Sequence, residues 1–136
     1  MKNLFIILLA LVVISACEKV DCNGDLDGMW QLTSWEDINS GQQVADKQSK
    51  IFWHVKLTLM QFNKSTEATY YLAHFSYTPD SLFVREVYRS PHDTPTSLVE
   101  LKPYGVEADG KFSIEQLSSS RMVLKSINHR LTFRKF

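Results

Sequence analysis

Apolar and polar residues alternate along much of the chain, and the clearest stretch covers residues 51–62. Its odd positions from Ile51 to Leu59 are apolar and fall on one face, whereas Lys56 and Thr58 fall on the other. An alternation with period two is typical of a half-buried β-strand. We therefore predict a single strand over this stretch, ended by a polar turn.

Further stretches rich in aromatic and β-branched residues predict the rest of a sheet. They cover 28–35, 68–77, 82–88, 112–117, 122–126 and 129–136. Residues 96–101 predict either a short strand or a helical turn, and the polar segment 36–49 predicts a short helix or a flap. About eight short strands with turns between them indicate an all-β barrel or sandwich.

The N-terminal residues follow a different pattern. An apolar segment covers residues 4–14, after Lys2 and before Ser15 and Ala16. A positive start, an apolar middle and small residues at the cleavage site are the features of a signal peptide. This segment is too short to cross a bilayer, which needs about 20 residues. We therefore predict a signal peptide over residues 1–16.

The residue after this segment is Cys17, and the block Ile14-Ser15-Ala16-Cys17 resembles the signal motif of bacterial lipoproteins. The resemblance implies that Cys17 is acylated and that the lipid bilayer is a partner. The expected location is the bacterial cell envelope, at the outer membrane. Residues 17–27 are then a lipidated tether and residues 28–136 the barrel domain. The alternative is an ordinary secretory signal that leaves Cys17 as a free thiol.

Composition narrows the class of partner. The chain has 15 basic and 15 acidic residues, and removal of Lys2 with the signal peptide leaves a net charge of −1. Nucleic-acid binding requires a basic face, which this balance does not favour. Acylation of Cys17 would leave Cys22 without an intrachain disulfide partner, so Cys22 is either an inert thiol or pairs with another molecule. A monomer is expected.

Chemistry-bearing motifs are scarce. The histidines lie at positions 54, 74, 92 and 129, and none has the close spacing of a zinc site. No motif of a catalytic nucleophile is present. We therefore expect no enzymatic activity, no metal and no cofactor. The triplet Asp80-Ser81-Leu82 resembles an O-glycosylation acceptor of some bacteria, although Ser81 is equally a turn residue.

At Gly28-Met29-Trp30 the chain resembles the lipocalins and their calycin relatives, in which a G-x-W triplet begins the first strand. The segments 23–33 and 104–112 and the C-terminal L-x-F-R-K make it similar to bacterial lipocalin-like lipoproteins. The resemblance implies an eight-stranded antiparallel up-and-down barrel whose end is closed by Gly28 and Trp30. It also implies an arginine across the Trp30 ring. Arg134 matches that place, with Arg130 as the second choice.

Aromatic residues are the candidates for recognition. Those proposed to bind a ligand are Trp35, Trp53, Tyr71, Phe75 and Tyr88. Such side chains either fill the interior of a small barrel or line a cavity for one small apolar ligand. The leading hypothesis is an anchored barrel that binds a small hydrophobic or amphipathic molecule. The alternative is a non-enzymatic accessory module with a filled barrel, which binds another envelope protein through its loops.

Overall fold

The computed structural model describes residues 23–136, so the predicted signal peptide, Cys17 and Cys22 lie outside the described residues. The described chain forms a closed antiparallel β-barrel. Its strands are β1 Gly28–Asp37, β2 Gln43–Asp46, β3 Ile51–Lys56, β4 Leu59–Lys64, β5 Tyr71–Tyr77, β6 Ser81–Arg89, β7 Thr94–Thr96, β8 Lys111–Leu117, β9 Arg121–Lys125 and β10 His129–Lys135. Short 3₁₀ helices cover Gly24–Leu26, Lys47–Ser49 and Leu98–Tyr104.

Eight of these strands form the barrel wall. They follow one another in chain order as β1, β3, β4, β5, β6, β8, β9 and β10, and β10 pairs with β1 to close the wall. The two remaining strands are short additions, because β2 pairs with the second half of β1 and β7 pairs with the end of β6. The predicted eight-stranded up-and-down barrel is confirmed.

The stretch 51–62 is two strands and not one. Lys56 pairs with Leu59, so Leu57 and Thr58 form the two-residue turn of a hairpin. The buried positions change from odd numbers in β3 to even numbers in β4, where Met60 and Phe62 are buried. This change of phase is visible in the sequence. A continuous strand would have placed Leu57 and Leu59 inside, whereas both are exposed.

A β-bulge in β1 sets the direction of its two tryptophans. The pairing with β10 shifts between Leu32 and Ser34. Strict alternation would put Trp30 and Trp35 on opposite faces, because they are five positions apart and five is odd. The extra residue of a bulge reverses the alternation. Both indoles are therefore buried on the inner side, Trp30 completely and Trp35 with 9% exposed.

The residues before β1 belong to the packed body. Leu26 is fully buried in the 3₁₀ turn Gly24–Leu26, and Asn23 is 7% exposed. The Asn23 amide donates to Asp27 Oδ1 and to the carbonyl of Leu57, both at 2.7 Å. The last part of the segment assigned to the tether, residues 23–27, is therefore held on the barrel by burial and hydrogen bonds.

The sequence left the secondary structure of two segments undecided, and each region contains both a strand and a short helix. The polar segment 36–49 contains β2 and the short helix Lys47–Ser49. Residues 94–104 form both β7 and the helix Leu98–Tyr104, which we call the plug helix. Ser97 caps this helix by accepting a hydrogen bond from Val99 N at 3.1 Å, and Gly105 ends it in the left-handed region with φ +95°.

The barrel has two distinct ends. The N-terminal turn Gly24–Leu26, the C-terminus and the turns at 57–58, 78–80 and 118–120 gather at the closed end. The plug helix and the loops at 38–42, 105–110 and 126–128 gather at the open end. Among residues 23–136, no helix has the length and apolar character needed to cross a bilayer.

Candidate functional site

The closed end is sealed by Trp30 and Lys135. The Trp30 indole N–H donates to the carbonyl of Leu26 at 2.8 Å. The Lys135 ammonium lies 4.8 Å from the centre of the Trp30 ring and donates to the carbonyl of Asp25 at 2.8 Å. A Cβ on Gly28 would come within 3.3 Å of the Lys135 side chain, and Gly28 has φ +127°. The predicted closing positions Gly28 and Trp30 are therefore at this end.

The cation over Trp30 is a lysine, so the assignment of this role to Arg134 is wrong. Lys135 is the register partner of Trp30, and it shares the inward parity of Leu131 and Phe133. Arg134 points outward, donates from Nε to Gln31 Oε1 at 2.8 Å and lies 5.9 Å from the Phe136 ring. Counting in twos back from Lys135 to Phe133 would have identified the lysine from the sequence.

Arg130, the second choice for this role, lies on the outer wall near the start of β10. Its Nε donates to Glu115 Oε1 at 2.6 Å, and its guanidinium also contacts Glu36 Oε1 at 3.4 Å. The hydrogen bond from Arg130 lowers the pKa of Glu115, and the same bond raises the pKa of Arg130. These exposed ion pairs contribute little to stability.

Trp53 forms the centre of the barrel interior. Its ring centre lies 5.0 Å from that of Phe62, 5.6 Å from that of Phe112 and 4.7 Å from that of Phe133. Its indole N–H donates to the carbonyl of Tyr104 in the plug helix at 3.0 Å. Trp53 is fully buried, so it is a core residue and does not line an open cavity.

Tyr71 and Phe75 are also core residues, 8% and 7% exposed. The Tyr71 hydroxyl donates to Glu100 Oε2 of the plug helix at 3.1 Å, and burial, followed by this bond, raises the pKa of Tyr71. These contacts fasten the plug helix over the mouth of the barrel. Of the two alternatives left open by the sequence, Trp53, Tyr71 and Phe75 therefore fill the interior and do not line a cavity, because side chains and the plug helix occupy that space.

A cleft of about 880 Å³ lies at the open end, on the outer side of the plug helix. Its apolar walls include Trp35 and Val106 from the body, Val44 from β2 and Val99 from the plug helix. The other lining residues are Lys102, Pro103, Gly105, Glu107, Ala108, Asn128 and His129. Of the ligand residues proposed from the sequence, Trp35 is therefore the one that the structure brings to a cleft.

A hydrogen-bonded cluster around Glu107 forms the polar wall of this cleft. Glu107 Oε1 lies 2.8 Å from His129 Nδ1 and accepts from Ser126 Oγ at 3.0 Å and from Asn128 N at 3.3 Å. His129 meets the Trp35 ring edge-on, with ring centres 5.6 Å apart. The Trp35 indole N–H is buried and has no hydrogen-bond partner among residues 23–136.

Asp37, at the end of β1, adds a negative charge to the edge of the open end, which we call the rim. Its side chain accepts hydrogen bonds from the backbone N–H groups of Asn39 at 2.8 Å and Ser40 at 3.0 Å. These bonds, Ser40 first, lower the pKa of Asp37. Sequence reasoning did not identify Glu107, His129 or Lys102 as rim residues, because His129 is distant along the chain from Lys102 and Glu107 and no spacing links it to them.

The remaining candidates lie outside the cleft. Tyr88 is half-buried on the outer wall, where its ring lies 6.2 Å from that of His74. Ser81 is exposed as the first residue of β6, and its Oγ lies 2.9 Å from Thr78 Oγ1. This exposed position is compatible with glycosylation of Ser81, which stays a prediction. Within residues 23–136, no group of three or more His, Cys, Asp and Glu side chains could hold a metal ion.

Comparison with known proteins supplies the class. The family model described as a lipocalin-like domain matches residues 11–136. The chain therefore belongs to the lipocalin-like family, whose members are generally non-enzymatic binding proteins. No curated protein is significantly similar to this chain.

Solved structures share the fold. A lipocalin-like protein from Bacteroides uniformis ATCC 8492 is 23% identical, with a TM-score of 0.60 over 83% of this chain and 100% of that one. An uncharacterized protein from Bacteroides eggerthii DSM 20697 is 17% identical, with a TM-score of 0.56 over 81% of this chain and 98% of that one. At these identities the likeness concerns the fold alone.

Proposed function

We propose that this protein is a non-enzymatic binding protein that takes a small amphipathic molecule in the cleft at the open end. The observation that carries the proposal is the apolar cleft of about 880 Å³ above a filled barrel. Its volume falls within the range of about 300–1,000 Å³ typical of small-molecule sites. The proposed site differs from an apolar interior cavity because the rim offers polar groups beside the apolar walls.

The chemistry of the rim favours a ligand with one apolar and one polar part. Trp35, Val44 and Val99 offer apolar surface, whereas Lys102 and the pair of His129 and Glu107 offer charge and hydrogen bonds. The indole N–H of Trp35 is a buried donor without a described partner. An unpaired buried donor costs about 1–3 kcal/mol, so a ligand acceptor that reached it on binding would gain affinity.

Binding of the fluorescent amphiphile anilinonaphthalene sulfonate tests the cleft. The Val99→Ser variant should bind this probe several-fold more weakly, because Val99 is 64% exposed in the cleft wall. Phe83→Ala is the matched control, since Phe83 is an exposed apolar residue of the outer wall. Equal affinity of the parent and both variants would contradict the proposal. Mass spectrometry of organic extracts from natively purified protein then identifies the natural ligand.

We also propose that acylated Cys17 anchors the protein as a monomer in the bacterial cell envelope, at the outer membrane. The support is the sequence Ile14-Ser15-Ala16-Cys17 after a short apolar segment. Two or more acyl chains hold a protein stably on a bilayer, whereas one does not. The Cys17→Ala variant should leave the membrane fraction or accumulate unprocessed. Unchanged membrane association of this variant would contradict the anchor.

A second candidate function uses the same rim to bind another envelope protein. It is favoured by three exposed apolar side chains at the open end, Val44, Val99 and Ile127. A photo-crosslinking residue at position 99, compared in cells with one at position 83, separates the two candidates. One defined protein adduct at position 99 alone would favour the protein partner, and its absence together with an extracted small molecule would favour the ligand.

A further inference from the structure

Exposed apolar residues also occur at the closed end, away from the cleft. Phe136 is 73% exposed, Leu57 41% and Met29 38%. The Phe136 ring packs edge-on against Phe52 with centres 5.7 Å apart, and Phe136 N donates to the carbonyl of Met29 at 2.8 Å. We call Met29, Phe52, Leu57 and Phe136 the closed-end apolar face.

Leu57 has a backbone conformation and an exposure that are both unusual for a leucine. It occupies the first position of the two-residue hairpin turn with φ +56°. Glycine, asparagine and aspartate are the residues preferred at that backbone conformation, which is unfavourable for leucine. The side chain gains little burial in return. A leucine is thus presented to the outside at a position where the turn itself favours a small or polar residue.

The described part of the chain begins beside this face. Asn23 is the first described residue, and its amide donates to the carbonyl of Leu57 at 2.7 Å. Cys17 precedes Asn23 by six residues, which span at most about 20 Å when extended. An acyl group on Cys17 therefore keeps the closed end, and not the rim, next to the bilayer.

We propose that the closed-end apolar face rests in the bilayer interface and holds the barrel upright, with the cleft directed away from the membrane. This inference rests on the proposed acylation of Cys17. Aromatic and aliphatic side chains insert at the boundary between headgroups and acyl chains. Exposed Lys56 and Arg134 lie beside the face, but Asp25 and Asp27 also lie at this end. Apolar contact rather than charge therefore selects the surface.

The test uses the acylated full chain on vesicles of phosphatidylethanolamine and phosphatidylglycerol. In a Cys22→Ser background, the environment-sensitive dye NBD is attached at Thr58→Cys in the closed-end turn or at Asn39→Cys in an open-end turn. We expect the dye at position 58 to shift to shorter wavelength and to resist quenching by aqueous dithionite, and the dye at position 39 to stay fully quenchable. Flotation with the vesicles reports the anchor independently.

A matched pair of variants tests the face itself. Phe136→Ser should remove at least half of the protection at position 58, whereas Ile127→Ser should leave it unchanged, because Ile127 is equally exposed (75%) at the open end. Flotation without protection at position 58 would overturn this inference alone, and absence of flotation would overturn the anchor with it. The dye at position 58 could also shift to shorter wavelength in detergent, by an amount that grows with protein concentration. That result would mean that the face contacts a second copy of the chain, and it would overturn the proposal.

Discussion

Trp30 and Trp35 belong to the same strand and are both buried, yet their surroundings differ. Trp30, at the closed end, is fully buried, and its indole N–H is bonded to Leu26. Trp35, at the open end, retains 9% exposure beside a cleft, and its N–H has no partner among residues 23–136. The indole at the closed end is completely packed and hydrogen-bonded, whereas the indole at the open end is neither. Departures from complete packing and polar satisfaction are expected at functional or strained sites.

The largest difference between the ends should appear on truncation of these tryptophans. Trp30→Ala should lower the free energy of unfolding by about 3–5 kcal/mol, because it opens a cavity in a packed interior. Trp35→Ala should cost about 1–3 kcal/mol, because one side of its ring already faces a cleft and an unpaired buried donor is removed. Urea unfolding of both variants measures the difference. Equal losses would contradict the contrast between the two ends.

A second prediction concerns the loop that follows the plug helix. Gly110 has φ +66°, its carbonyl accepts from Val84 N at 2.8 Å, and an added Cβ would lie 2.2 Å from Val84 O. Gly110→Ala should therefore cost about 2–4 kcal/mol of stability, since the backbone must move. Gly41→Ala is the control, because Gly41 has φ +72° but nothing within 4 Å of the added Cβ.

Gly41→Ala should show the backbone strain alone, about 1 kcal/mol. Thermal unfolding of the two glycine variants under one buffer condition gives the comparison. If Gly110→Ala proves no worse than Gly41→Ala, the loop at the open end is free to move and does not hold the plug helix in place.

A third prediction tests which cation closes the other end. Lys135→Ala should cost about 1–2 kcal/mol, because it removes both the contact with the Trp30 ring and the hydrogen bond to Asp25. Arg134→Ala should cost less than about 1 kcal/mol, because Arg134 is exposed on the outer wall. Denaturant midpoints of the neighbouring variants decide the order. A larger loss for Arg134→Ala would restore the arginine to the closing role.

The smallest expected effect is a pH dependence in the plug helix. Burial, followed by the nearby Glu67 carboxylate, raises the pKa of Tyr104 to about 12. An unfolded tyrosine ionises near pH 10. Between these values the unfolded state binds fewer protons than the native state, so stability falls as pH rises and is fully present below about pH 10.

Tyr104→Phe should lose part of this alkaline decline while keeping the ring contacts of the plug helix. Urea unfolding of the parent and the variant from about pH 9 to 12 measures it. Parallel pH curves for the two proteins would mean that the Tyr104 hydroxyl does not contribute to the decline.

Much of the fold could be predicted from the sequence because strand formation is local. Alternation with period two and frequent turn residues indicated about eight strands, with 51–62 counted as one strand and 96–101 as a possible one, and the triplet Gly28-Met29-Trp30 indicated where the barrel begins. The turn at Leu57 was missed because leucine is a poor turn residue. The alternation through Leu59 was therefore given more weight than the change from odd to even apolar positions at Met60 and Phe62. The assignment of Arg134 to the Trp30 ring failed because it followed the position of the arginine in the family motif. The alternation of side chains along β10 puts Lys135 on the same face as buried Phe133, and this alternation should have decided the assignment.

The candidate site depended on tertiary structure. Trp35 was identified as an aromatic on a strand, but its inward direction depends on the bulge between Leu32 and Ser34, which no local pattern reveals. The polar wall joins Glu107 to His129 across the open end. A contact of this kind forms only after the barrel has closed. The number of residues between Glu107 and His129 is set by the lengths of the strands and loops that separate them, so it has no characteristic value.

The sequence alone thus determined the class of fold and predicts an anchor at Cys17, because periodicity and short motifs are properties of neighbouring residues. The up-and-down order of the strands was implied by the family resemblance. Tertiary structure decided that the interior is filled and that a cleft lies on the outer side of the plug helix. The physical reason is volume. Whether aromatic side chains fill a barrel or line a cavity depends on the distance between opposite walls and on the segment that folds over the mouth.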